Sequence, residues 1–224
     1  MLHRVSFASS PHSSPRSPGR GDPLRLNNIE SWRISLDPAP YMITYALWIR
    51  AAERLQIPPD PLVPGPLDID RPPPPISTGD EAIAEQWLGW WYSLVAPHRA
   101  ARQPANREFE PADGTPDPLG LAPYPVLAAV VTKRWPQAQE WQAARKRQAI
   151  VRHSPPSLTM NVVVQDVERK LGRRVRPFSL EFLLLPVRDD VIRKVDDERY
   201  LVPEGVYEGP TWTSWLGTLL QRIG

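Results

Sequence analysis

At about 100° per residue, Ile83, Trp87, Trp90 and Leu94 fall within one arc, and Ala84, Leu88, Trp91 and Val95 fill the next. Glu81, Glu85, Gly89, Tyr92 and Ser93 lie opposite. The pattern predicts an amphipathic helix over 81–96, capped by Thr78 or Asp80, with the tryptophans of "QWLGWWY" on one broad apolar face. Aromatics sorted to one side mark a helix that faces the core. The competing reading is a groove or a self-association surface, because Trp and Tyr are favoured at interfaces.

The same procedure places the other elements. Trp32, Ile34 and Leu36 alternate as in one half-buried strand. "DPAP" reads as a helix start with Asp37 as N-cap and Pro38 at the first helical position. Tyr41, Tyr45, Trp48, Ala52 and Leu55 then mark one face of a helix ended by Pro58 and Pro59. A helix with Val126, Leu127, Val130 and Val131 is expected to stop near Pro136, and a more polar one to run through "QAQEWQAARKRQAIVRH".

Val163 or Val164, Val167 and Leu171 predict a helix over 157–171, with Gly172 at its C′ position. "RPFSLEFLLLPV" (176–187) is the strongest strand, apolar enough to be covered on both faces, and "RYLVP" (199–203) is a second. "DDVIRKVDDE" between them is a short helix or the first arm of a hairpin. Trp212, Trp215, Leu216, Leu219, Leu220 and Ile223 give the cleanest helical period in the chain. That terminal helix is expected to dock on the body, with the tryptophans of the 81–96 helix as its seat.

These elements predict an α+β fold, predominantly helical, with about six helices around a small sheet containing strands near 178–187 and 199–203 and a tryptophan-rich core. Residues 1–22 contain no acidic residue until Asp22 and are rich in Ser, Pro and Arg, a composition like that of a transit peptide. They read as a disordered tail. Residues 23–224 read as a single globular domain, with two lobes (24–100 and 119–224) as the alternative. Nine prolines lie among residues 57–76, so 57–77 is expected to be an extended connector on the surface, with recognition of its four-proline run as the lesser reading.

Composition narrows the chemistry. The chain has 224 residues, 29 prolines, 12 glycines and no cysteine. Disulfides, cysteine-held metals and thiol nucleophiles are excluded, and scarce glycine disfavours a phosphate-cradling loop. No window is apolar enough for a membrane span, and the expected location is cytoplasmic. The basic residues are overwhelmingly arginine, the usage of a high-GC genome, which weakens any argument from arginine number alone.

Position is more informative. Lys133, Arg134, Arg145, Lys146, Arg147, Arg152, Arg169, Lys170, Arg173, Arg174 and Arg176 face only Glu140, Asp166 and Glu168, a local net charge of +8 in a chain whose total is +2. An asymmetry of that size is the footprint of an anionic partner or of a solvated face matched to the acidic remainder.

Catalytic signatures are missing. No HExxH, Gly-x-Ser-x-Gly, GxxxxGK[ST] or GxGxxG occurs, and no metal or cofactor is expected. The acid pairs at Asp189–Asp190 and Asp196–Glu198 alternate with Arg188, Arg193, Lys194 and Arg199 and read as a salt-bridged surface. Glu168-Arg169-Lys170 has the Glu-x-Lys form of some metal-dependent nucleases but falls in a predicted helix.

The expectation is a non-catalytic intracellular protein that binds another macromolecule, most simply a protein, through Lys133, Arg134, Arg145, Lys146, Arg147, Arg152, Arg173, Arg174 and Arg176 or through an aromatic face. Nucleic-acid binding by the same region is the alternative. A second alternative is an enzyme assembled from His98, Asp113, Asp117 and His153.

Overall fold

The structure, a computed structural model, describes residues 32–77, 81–96, 120–152 and 157–223, without the side chains of 148–152 and 157–159. The expected tail at 1–22 lies outside the described residues, as do His98, Asp113, Asp117, His153 and the expected caps Thr78 and Asp80. The rest forms one compact unit from Ser31 onward.

The fold is α+β. Strands β1 (Arg33–Asp37), β2 (Ser179–Leu185), β3 (Arg193–Lys194) and β4 (Arg199–Pro203) form a mixed sheet in the order β1-β2-β4-β3. β1, β2 and β4 are parallel, with Leu36 opposite Phe182 and Phe182 opposite Tyr200. β3 is the first arm of a short hairpin with β4. Six helices occur among the described residues: α1 (Tyr41–Ala52), α2 (Glu81–Val95), α3 (Pro125–Arg152), α4 (Ser157–Leu171), α5 (Glu204–Tyr207) and α6 (Thr211–Ile223). Among the described residues no helix is long and apolar enough to cross a membrane.

Strand alternation divides the core between the two faces of the sheet. Leu180, Phe182 and Leu184 of β2, with Tyr200 and Val202 of β4, pack against α4 and α6. Leu183, Leu185 and Leu201 point the other way, into a cluster built by α1, α2 and α3. The uninterrupted apolar run of β2 therefore serves both layers, as a strand covered on both faces requires. β1 comes from the N-terminal half of the chain and β2 from the C-terminal half, so both halves contribute to one sheet.

Helix α1 lies at the centre of the first layer. Ile43 to Ile49 are all buried, so the helix is enclosed on nearly every side, where the sequence suggested a single stripe. Its start also differs. Pro40 is the N-cap with no side-chain cap, and Asp37 instead accepts a hydrogen bond from the Ala39 amide in a turn.

The tryptophans of α2 are core. Trp87, Trp90 and Trp91 have no exposed surface; Trp87 stacks on Trp91 at 5.4 Å between ring centroids. The Trp87 indole donates to the Ala46 carbonyl (2.7 Å) and that of Trp91 to the Leu62 carbonyl (3.1 Å), satisfying the polar edge that a buried indole keeps.

Gly89, in the gap of "WLGWW", leaves room for the ring of Tyr124. A Cβ there would stand 2.7 Å from Tyr124 Cε1. Gly89→Ala is expected to destabilise by about 1–2 kcal/mol in urea titration, since overpacking outweighs the gain of ~1 kcal/mol in helix propensity.

Helix α3 corrects a boundary. It runs through Pro136 without ending, although proline removes one helical hydrogen bond. Leu127, Val130 and Val131 before it and Ala138 after it are buried, so packing on both sides outweighs a loss of roughly 3 kcal/mol. Helix α6 is displaced from its expected seat: Trp212, Leu216 and Leu220 pack on α4 and the far face of the sheet, not on the α2 tryptophans. Helix α4 ends at Gly172 with φ +66°, as a C′ glycine should.

The proline-rich segment 57–77 forms no helix and turns at Asp60–Val63, and where a surface connector was expected Leu62 and Leu67 are buried in the core. Leu67 bridges to Val187, and the Asp68 and Arg188 amides donate to the Pro186 and Pro66 carbonyls. The segment is a strap built into the first layer.

Its far end is held by a buried ion pair. Arg134 Nε lies 2.6 Å from Glu53 Oε1. Glu53 Oε2 accepts from the Ile76 and Ser77 amides, while Arg134 donates to the Pro74 carbonyl and to Gln137. Burial pushes the Glu53 carboxyl up, but the donors of Ser77 and Arg134 prevail and hold it below the usual range.

Candidate functional site

The basic run of the sequence does not assemble into one surface. Arg134 is turned inward onto Glu53 and is 2% exposed, so it cannot meet a partner. Arg145 is half-buried, pairs with Glu204 and lies over the Trp141 ring. Lys133, Lys146 and Arg147 are exposed on α3, while the side chain of Arg152 lies outside the described residues.

Glu204 follows the last residue of β4, so the Arg145 region belongs to the carboxyl end of the parallel strands. Arg173, Arg174 and Arg176 lie between α4 and the first residue of β2, at the amino end. Helix α4, 15 residues or about 22 Å long, separates the two groups.

At the amino end the sheet adds residues that sequence spacing did not bring in. Arg33 opens β1 opposite Ser179 of β2, and its amide donates to the Phe178 carbonyl at 2.8 Å. Trp32 and Phe178, the residues preceding those strands, stack at 6.2 Å with 16° between their planes. Arg33, Lys170, Arg174 and Arg176 are exposed and have no acidic partner among the described residues. Arg169 pairs with Asp166, and the Arg173 guanidinium donates to the Arg174 carbonyl. The one local signal was the closeness of "RRVR" to "PF"; Trp32 and Arg33 join them only through strand pairing.

Glu168 accepts the Val175 amide, a role in the turn after α4. No cluster of three or more metal-type ligands occurs among the described residues. A hollow of about 480 Å³ at this end is lined by Arg33, Glu181, Asp196, Asp197 and Arg199. Three of its members are engaged locally: Arg199 with Glu181, and Asp197 with Lys194.

A larger cleft, about 850 Å³, opens on the first layer between the end of α1, the strap and the loop after β2. Arg50, Arg54, Arg188 and Arg193 line it together with Asp60, Asp189 and Asp190. Arg193 pairs with Asp189 at 2.6 Å, and Arg188 with Asp68 at 2.8 Å. The acid–base alternation at 188–199 is thus largely the salt-bridged network expected of it, with the Arg193–Asp189 pair drawn inward.

No protein-family profile, no curated protein and no solved structure matches the chain.

Proposed function

We propose that the protein is a non-catalytic binding protein whose partner is another macromolecule, engaged at the amino end of the sheet by Arg33, Lys170, Arg174 and Arg176. The observation that carries this reading is that these exposed cations, unpaired among the described residues, share the amino end of the sheet with the stacked Trp32–Phe178 pair, Arg33 following Trp32 directly and Arg176 standing two residues before Phe178. Unpaired arginines favour a phosphate backbone, and a neighbouring aromatic pair favours bases over the side chains of an acidic protein. Single-stranded nucleic acid is therefore the partner of choice. We place this activity in the cytoplasm.

Retention on immobilised single-stranded DNA across a salt gradient tests the assignment. An Arg174→Glu/Arg176→Glu protein is expected to elute well before the parent, and a Lys146→Glu/Arg147→Glu protein close to it. Equal retention of all three proteins would refute the location.

A further inference from the structure

The larger cleft holds cations that the fold does not neutralise. Helix α1 ends in a Schellman motif: the Leu55 amide donates to the Arg50 carbonyl (3.0 Å) and the Arg54 amide to that of Ala51 (3.3 Å). The C′ position of that motif takes a left-handed backbone and is normally glycine, yet here it is Arg54, at φ +53°. The only non-glycine residue with positive φ among those described thus belongs to the cleft lining. Strain kept at such a position directs attention to what the side chain does.

One turn earlier, Arg50 donates to the Pro64 carbonyl at 2.8 Å and to the Gly65 carbonyl, and stands over the Trp87 ring at 5.5 Å. Neither it nor Arg54 has an acidic partner among the described residues. The acids of the lining are engaged or at the rim: Asp189 holds Arg193 and the Gly65 and Val191 amides, Asp60 accepts from the Tyr92 hydroxyl and the Leu62 amide, and Asp190 is exposed. Burial and then the nearby Arg193 push the Arg50 guanidinium down to about 10, against the pull of Asp189.

The walls are Leu55, Ile57, Val63 and prolines of the strap, stiff and apolar. The volume is that of a small-molecule site, and the loop that follows β2 supplies one side of the cleft.

We infer that this cleft binds an oxyanion, a carboxylate or phosphate group carried on a compact apolar body. Arg54 supplies the planar fork that matches such a group, Arg50 the fixed charge behind it, and the strap the apolar wall.

The test is calorimetric titration of the full chain with phenyl phosphate and with benzoate, in parent and Arg54→Gly proteins. At least one probe is expected to bind the parent, the tighter of the two naming the group, and Arg54→Gly is expected to weaken it about tenfold, the loss of one charge-assisted contact. Because glycine relieves the left-handed strain, that variant is also expected to melt no lower than the parent, so weaker binding cannot be ascribed to unfolding. Arg174→Glu/Arg176→Glu is expected to bind the probe as the parent does. Failure of both probes, or equal affinity in parent and Arg54→Gly, overturns the inference.

Discussion

Arg134→Ala is expected to lose about 3–5 kcal/mol of stability, the cost of breaking a buried ion pair by removing one partner. Removing the guanidinium leaves the Glu53 carboxylate buried without its counter-charge, and leaves the Pro74 carbonyl and the Gln137 side chain without their donor. The same loss releases the end of the strap, which has few alternative anchors because residues 72–75 are proline and have no amide hydrogen.

A Glu53→Met/Arg134→Met protein separates the two contributions. It is expected to recover much of the loss, since a well-packed apolar pair is often as stable as a buried ion pair. The pH dependence follows from the lowered Glu53 pKa. Its stabilisation is fully present above the ordinary carboxylate value and disappears as pH falls through the lower folded value, from about pH 4 downward. Urea titrations of parent and Glu53→Gln across that range are expected to converge at the acid end.

Trp87→Ala is expected to cost about 3–5 kcal/mol, as for other fully buried large aromatics. It removes the partner of Trp91, the ring beneath Arg50 and the indole that donates to the Ala46 carbonyl. Trp87→Phe keeps the packing volume in part and is expected to cost roughly 1–2 kcal/mol. Trp87→Phe is also expected to leave retention on single-stranded DNA unchanged, because the α2 tryptophans are core and the contact surface lies elsewhere. A change in retention at unchanged fold would return the "QWLGWWY" cluster to the status of a platform.

What the sequence revealed depended on whether the deciding interaction was local. The faces of α2 and α6 and the end of α4 at Gly172 are periodic or single-residue signals, and they appear where expected. Pro136 misled because its penalty is local, whereas the packing of Leu127, Val131 and Ala138 that overrides it is tertiary. The seat of α6 was misplaced for the same reason: periodicity shows that a helix has an apolar face, not which face of the sheet receives it.

Charge behaved in the same way. A run of eleven basic residues looks like one surface in sequence, but α4 carries its two ends to opposite ends of the sheet, and Glu53 draws Arg134 into the core. The pairing of Trp32 and Arg33 with Phe178 and Ser179 spans nearly 150 residues, beyond the reach of any spacing rule. The residues of the larger cleft come from α1, the strap and the loop after β2, and no sequence signal joined Arg50, Arg54 and Arg193.

The most direct measurement is the affinity of the parent for a labelled single-stranded oligonucleotide as a function of salt, beside Arg174→Glu/Arg176→Glu. Four cations at the amino end of the sheet predict that log K falls against log salt with a slope of about −3, becoming shallower by roughly one or more in the variant. A parent that does not bind, or a slope unchanged by the substitutions, would contradict the assignment of this surface.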